Sequence, residues 1–261
     1  MINGHGGSAL FDSYEQERRA VALTSIQHSG IHMETHFALS RFLGPNPHAV
    51  VEDSDEGRAI RKRIHDHYQA NKGENTDLGI EMDHRHKSCV YPLPNDVDGQ
   101  EPEWNPARYV PSTFVGSRAP HVYLKDGSSI FDHFGKYWTL IEFSDRQDDK
   151  REVTTLLDAA NAIDMPVKHV VLCDEENARK IWHSPLVLVR PDGHVAWRGG
   201  KLPDVESVEE IVKIVSGRKA GPWGETNTDE QAQGLGPFAA TEGMGSQVDG
   251  YKLEKMGVMQ S

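Results

Sequence analysis

The sequence predicts an α/β protein: a domain of βαβα-hairpin-α order, preceded by a mainly helical segment. Three observations carry this. From Trp138 onward, short β-branched and aromatic runs alternate with stretches of helical periodicity. Before residue 73 the apolar residues recur at helical spacing only. Between the two lies a polar, proline-rich stretch, residues 92–112, which reads as a loop.

Residues 8–43 form the first predicted helix. Ser8 or Asp12 is its cap, and Leu10, Tyr14, Val21, Ile26, Met33, Phe37 and Phe42 form its apolar set. Gly30 is expected to interrupt it, and Gly44-Pro45-Asn46-Pro47 to stop it. Residues 53–72 read as a second helix, capped at Asp53 or Ser54, with Ile60, Ile64 and Tyr68 on one face. Residues 78–82 and 88–91 read as short extended pieces. The connector Val115-Gly116-Ser117-Arg118-Ala119-Pro120-His121 leads through two strand-like runs and a glycine turn to a strand at 138–143.

A helix over 150–163 follows, with Val153, Leu156, Leu157 and Ala160 on one stripe. Residues 167–172 read as a buried strand and 175–182 as a short helix. Pro185 opens a strand at 186–189. Pro191-Asp192-Gly193 turns the chain, and 195–198 returns antiparallel. A helix over 206–215 closes the domain on Val208, Ile211, Val212 and Val215. The expected division is 1–110, 111–217 and a glycine-rich flexible tail at 218–261.

At 261 residues the chain can bury a sizeable core, with 37% hydrophobic and 26% charged residues. A formal net charge of −12 argues against nucleic acid or an anionic membrane as partner. There is no apolar run of roughly 18 residues to span a membrane. The first residues have neither a basic nor an apolar signal-peptide region. Two distant cysteines, Cys89 and Cys173, read as free thiols of a reducing compartment, with the cytoplasm as the expected location.

Three ordered segments carry a family resemblance. They are residues 10–22 (LFDSYEQERRAVA), the connector from Val115 to His121, and residues 185–199 (PLVLVRPDGHVAWRG). Together they resemble the C-terminal part of the FAD-dependent aromatic monooxygenases of the phenol hydroxylase type. Ala20 stands where that family usually has proline. The resemblance implies a thioredoxin-like C-terminal domain after a remnant of the hydroxylase body. It also implies FAD and NAD(P)H as family cofactors, and a phenolic or polyketide-type aromatic as substrate.

The chemistry those cofactors need is missing from the sequence. Gly4-His5-Gly6-Gly7 lacks both the spacing of G-x-G-x-x-G and a preceding strand, so no FAD is expected to bind this chain alone. Thioredoxin-like redox work uses a Cys-x-x-Cys pair after the first strand, but the sequence there is Ser144-Asp145-Arg146-Gln147-Asp148. The N-terminal flavin-binding part is therefore expected to be absent. Pro185 stands where thioredoxins keep a cis proline, with a trans turn proline as the alternative.

No catalytic residue can be assigned, and neither a cofactor-binding nor a metal-ligating set is predicted. His28, His32 and His36 share a helical face and read as a solvated or packing stripe ahead of zinc ligands. His84 and His86 alternate onto one side. They read as polar positions at a sheet edge, or as acid–base groups if a pocket opens above them. Arg118 reads as a clamp across the junction ahead of a substrate contact, and Glu15 with Arg18 as helix stabilisation. Trp182 and Trp197 read as core.

Three functions follow. One is a truncated aromatic monooxygenase. The second is a non-redox accessory module that homodimerises or docks on a partner flavoprotein. The third is a cofactor-free isomerase or cyclase of secondary metabolism.

Overall fold

The computed structural model describes residues 3–71, 76–94, 100–144 and 153–225. The expected helix 150–163 is thus seen from Val153, and most of the expected tail lies outside the described residues.

Helix α1 (Ala9–Leu43) runs unbroken for 35 residues. Gly30 does not interrupt it, because a helical glycine costs only about 1 kcal/mol relative to alanine and no packing partner forces a bend there. Gly44, at φ +59°, ends the helix. Helix α2 (Asp55–Ala70) begins at Ser54, whose hydroxyl accepts from the Gly57 amide at 3.1 Å. It lays Ile60 against the rest of the molecule.

Residues 78–82 depart from the extended reading and form a short helix, α3 (Leu78–Met82). The reason lies in the neighbouring loop. The Gly79 amide donates to the Pro106 carbonyl at 2.9 Å, and a side chain at Gly79 would meet the Asn105 carbonyl oxygen at 1.9 Å. Residues 88–91 are likewise a turn, closed by the Tyr91 amide on the Ser88 carbonyl at 3.1 Å.

The sheet has four strands in the order β2-β1-β3-β4. Strand β1 (Trp138–Ser144) pairs in parallel with β2 (Val167–Cys173) and antiparallel with β3 (Leu186–Val189). Strand β4 (Val195–Gly199) completes the hairpin. The β1–β2 crossover carries helix α4 (Thr154–Ala162), and helix α5 (Glu176–Trp182) leads from β2 to β3. Helix α6 (Val205–Val215) closes the order, capped by Asp204 accepting from the Ser207 amide at 3.0 Å. The βαβα-hairpin-α order is therefore observed.

Strand alternation sorts the core onto two faces. Leu140, Leu186, Leu188, Ala196 and Trp197 pack under α4 and α6. Ile141, Phe143, Val187 and Val189 pack under α5, with Trp182 at the centre. Each such aliphatic or phenylalanine side chain contributes roughly 1.5–3 kcal/mol by burial. The Trp182 indole N–H donates to the Pro120 carbonyl at 3.2 Å, tying the connector to this layer. Strand β2 is not the buried strand expected from its sequence. It is the outer strand, and only Leu172 in it is buried. The Ser184–Pro185 bond is trans.

A third cluster, of Ala9, Cys89, Val90, Tyr91 and Val115, joins the helical segment to the sheet. Among the described residues, no helix is long and apolar enough to cross a membrane.

Candidate functional site

The helical segment and the sheet meet at a seam built first from backbone. The Gly116 amide donates to the Val195 carbonyl at 2.8 Å, and the Val195 amide donates to the Ser117 carbonyl at 2.9 Å. The His86 amide reaches the Gly116 carbonyl at 2.9 Å, so residues 85–86, the connector and β4 lie side by side. Gly116 is required here. Its φ is +87°, and a side chain would meet the His86 carbonyl oxygen at 2.0 Å.

Charge locks what the backbone aligns. Arg190, on the turn between β3 and β4, donates to both oxygens of Glu17 on α1, at 2.7 and 3.1 Å. The same guanidinium donates to the Tyr91 hydroxyl at 2.6 Å and to Asp192 at 2.6 Å. Ser88 donates to Glu17 at 2.7 Å. Burial works against the Arg190 charge, but Tyr91, Glu17 and Asp192 together more than offset it, so its pKa is raised. Burial raises the Tyr91 pKa well above that of an ordinary phenol. For Asp192 burial acts upward, but His194 and the Arg190 charge outweigh it and hold the carboxyl well below the usual range.

Beside this lock, the rings of His86 and His194 stack at 4.2 Å with 33° between planes. His86 is buried, its Nε2 stands 3.9 Å from Glu17, and its Nδ1 has no hydrogen-bond partner. Burial first, then His194, pushes the His86 pKa down to about 4, so the ring is neutral near pH 7. His84 is half-buried, and its pKa is lowered by burial and by the charges of His194, Arg18 and Arg118. An open cleft of about 330 Å³ lies above these imidazoles, between α1 and residues 79–104. Glu17, Val21, His84, His86, Lys87 and Trp104 are among its walls. Arg85 is fixed in that wall by two bonds to Asp83, at 2.8 and 2.5 Å.

The structure thus brings His84 and His86 together under a cleft, the condition set for an acid–base reading. It does not use Arg118 as the clamp. That side chain is exposed and bridges to His194 through the backbone only, while the guanidinium that crosses the seam belongs to Arg190. Sequence reasoning missed Arg190, Glu17, Tyr91 and His194. A polar arginine directly before a Pro-Asp-Gly turn was the available signal. The helix stripe lies elsewhere: His32 meets Asp77 at 2.6 Å, His36 meets the Tyr68 hydroxyl at 3.3 Å, and His28 stands edge-on to Trp104. Those three rings join α1 to α2 and to neighbouring loops. Trp182 and Trp197 are both core.

The glycines near the start do not fit a dinucleotide. The Gly7 amide donates to the Ser216 carbonyl at 2.9 Å, and a side chain at Gly7 would meet the Gly217 carbonyl oxygen at 2.3 Å. They face the carbonyl end of α6, which repels a pyrophosphate where a helix N-terminus would attract it. Nor do the thiols form a redox pair: Cys89 is buried in the seam cluster, and Cys173 ends β2.

Residues 112–218 match the family model "Aromatic-ring hydroxylase, C-terminal". The chain is 36% identical over 219 residues to the FAD-dependent monooxygenase apdD of Emericella nidulans, covering 83% of this chain and 35% of that protein. It is 38% identical over 217 residues to the FAD-dependent monooxygenase opdD of Penicillium oxalicum, covering 82% of this chain and 40% of that protein. The chain therefore spans little more than a third of the length of these curated relatives. Among solved structures it is similar to the rebeccamycin biosynthetic enzyme RebC with reduced flavin, at 28% identity and a TM-score of 0.67, covering 83% of this chain and 38% of that one. It is also similar to the flavin-dependent monooxygenase PieE in complex with FAD and substrate, at 25% identity and a TM-score of 0.60, covering 82% of this chain and 40% of that one. The part of the FAD-dependent monooxygenases that this chain resembles is their C-terminal part.

Proposed function

We propose, from that resemblance to the C-terminal part of FAD-dependent monooxygenases, that this chain is the C-terminal scaffold of an aromatic hydroxylation system. The flavin and NAD(P)H are held by a flavin-binding body, on the same or another polypeptide, and the substrate is a phenolic or polyketide-type aromatic. The chain works in the cytoplasm. Its thioredoxin-like domain serves as structure and interface rather than in thiol exchange.

One observation carries this reading. Helix α1 leaves Phe11, Tyr14, Ile26, Ile31, Met33 and Phe37 exposed. At about 100° per residue Ile26, Met33 and Phe37 fall within an arc of roughly 40°, while Phe11 and Tyr14 lie nearer the start of the helix and Ile31 on another side. We read the exposed Ile26, Met33 and Phe37 on this 35-residue helix as a surface for a partner. The relatives have some three-fifths of their length outside the match, and that is the part available to cover it.

The test is co-expression with the flavin-binding portion of a relative. The expected result is a complex that co-elutes with bound flavin, while the 261-residue chain alone elutes colourless. Ile26→Glu with Phe37→Glu should abolish the complex and leave the helical signal of the chain intact. Stoichiometric flavin held by the chain alone, or no association with any flavin-binding portion, overturns the reading.

A second reading, a cofactor-free isomerase or cyclase, is favoured by one observation: His84 and His86 are held neutral beneath the open cleft. Conversion of an aromatic candidate substrate without NAD(P)H, lost in His84→Ala, would support it over the first.

A further inference from the structure

The two edges of the sheet are treated differently. The β4 edge is covered by the connector, through the Gly116, Ser117 and Ala119 bonds to Val195 and Gly193. The β2 edge is bare: among the described residues, no backbone hydrogen bond reaches its outer side, and its only strand partner is β1. Seven residues, Val167–Cys173, run there without glycine, proline or a register break. Val171 is 45% exposed at the middle of this edge. Proteins normally blunt such an edge, because unpaired N–H and C=O groups recruit another strand.

The charges around β2 select what it recruits. Lys168 is exposed near the start of the strand, and Asp174 is exposed just past its end. We propose that β2 pairs antiparallel with β2 of a second copy about a twofold axis at Val171. Each four-stranded sheet then continues into the other. That register sets Lys168 of each copy opposite Asp174 of the other, Val170 opposite Leu172, and the two Val171 side chains against each other. Directly opposed residues of an antiparallel pair share a face, and this pairing respects it. Val170 and Leu172 both belong to the α5 side of the sheet, and Val171 alternates to the α4 side with Val167. A one-residue slip would send every pair to opposite faces.

Lys168 already holds the His133 carbonyl at 2.7 Å, which fixes its ammonium at the edge with donors to spare. Asp174 has φ +56°, so the backbone leaves the sheet there while the carboxylate stays at the rim. The edge lysine that would deter a strand of any other sequence is matched by this chain's own acid. The surface is small, so the dimer has a dissociation constant on the order of micromolar.

Sedimentation velocity of the full chain at roughly 0.1–100 µM, bracketing that constant, reads the outcome. Wild type should sediment as a dimer, and Val171→Lys, which opposes two ammonium groups at the axis, as a monomer. Lys168→Asp should raise the dissociation constant about tenfold, and the double variant Lys168→Asp with Asp174→Lys should return it to within about threefold of wild type. The last two changes lie at exposed positions, so they decide the matter even if Val171→Lys perturbs the strand. A monomer across the concentration range overturns the proposal, as it would if the chain's own residues 226–261 occupied the edge. So does a dimer indifferent to Val171→Lys and Lys168→Asp but lost in Phe37→Glu, which would place the contact on α1 instead. A monomer leaves the hydroxylase reading untouched. A self-contact on α1 would compete for the surface that reading assigns to the flavin-binding body, and co-elution with bound flavin decides that reading separately.

Discussion

Arg190 and Glu17 are 173 residues apart in sequence, and they meet in a two-pronged pair of 2.7 and 3.1 Å that fastens the β3–β4 turn to helix α1. Both side chains are largely withdrawn from water. Both terminal nitrogens of the guanidinium are engaged, by Glu17, Tyr91 and Asp192. Removing either member therefore strands a buried charge rather than simply deleting a contact.

Arg190→Ala and Glu17→Ala should each lower unfolding stability by about 3–5 kcal/mol, read by urea denaturation. Arg190→Lys should fall between them and wild type, since a lysine keeps the charge but loses the fork. Equal stability for Arg190→Ala and wild type would show that the pair contributes nothing.

Acid should weaken the fold before the carboxylates titrate. His86 has a folded pKa of about 4, below its unfolded value, so the folded state prefers the neutral ring. Its contribution is complete above about pH 6.5 and is lost as pH falls from there toward 4. Urea midpoints at pH 7, 5.5 and 4.5 should decline more steeply in wild type than in His86→Phe. Asp192 is depressed, so its contribution is present above the ordinary carboxylate range and disappears at lower pH than that of His86.

Gly116→Ala should cost at least about 2 kcal/mol and disorder the connector. The substitution combines a left-handed backbone with a 2.0 Å approach to the His86 carbonyl, and neither backbone can yield. Hydrogen exchange of the His86 and Val195 amides reports it, since both bond within that strip. Unchanged protection would mean that the strip does not depend on this residue.

Thiol labelling of the native protein should be sequential. Cys173 is half-exposed, whereas Cys89 is buried and burial raises its pKa. Cys173 should react at least about tenfold faster with a soluble thiol reagent, with Cys89 released by denaturant. Simultaneous labelling would place Cys89 at the surface.

The sheet was legible because its strands are runs of β-branched residues bounded by turns, as at Pro191-Asp192-Gly193, and because helix stripes such as Val208 and Val212 fix their own period. Short elements without such a run were not legible. Residues 78–82 became a helix because the Asn105–Pro106 loop comes down onto Gly79, a contact that no local pattern announces. Strand β2 read as buried because HVVL is apolar, yet strand order put it at the rim. The seam was hidden for the same reason. A linear reading weighs Glu15 with Arg18, three positions apart, but the working pair spans nearly the whole fold. His84 and His86 were visible as an alternating pair. The ring that stacks on His86 comes from the far hairpin.

The glycine turn at the start of the chain also has a mechanical meaning. The Gly7 and Ala9 amides bond to the Ser216 and Gly217 carbonyls, and Arg218 reaches back to the Gly4 carbonyl at 2.8 Å. The fold is thus a loop fastened at its clasp, and tension on the leading residues loads the end of α6 before it loads α1. Pulled from both ends, the molecule should resist until that clasp shears, and only then pay out its long first helix.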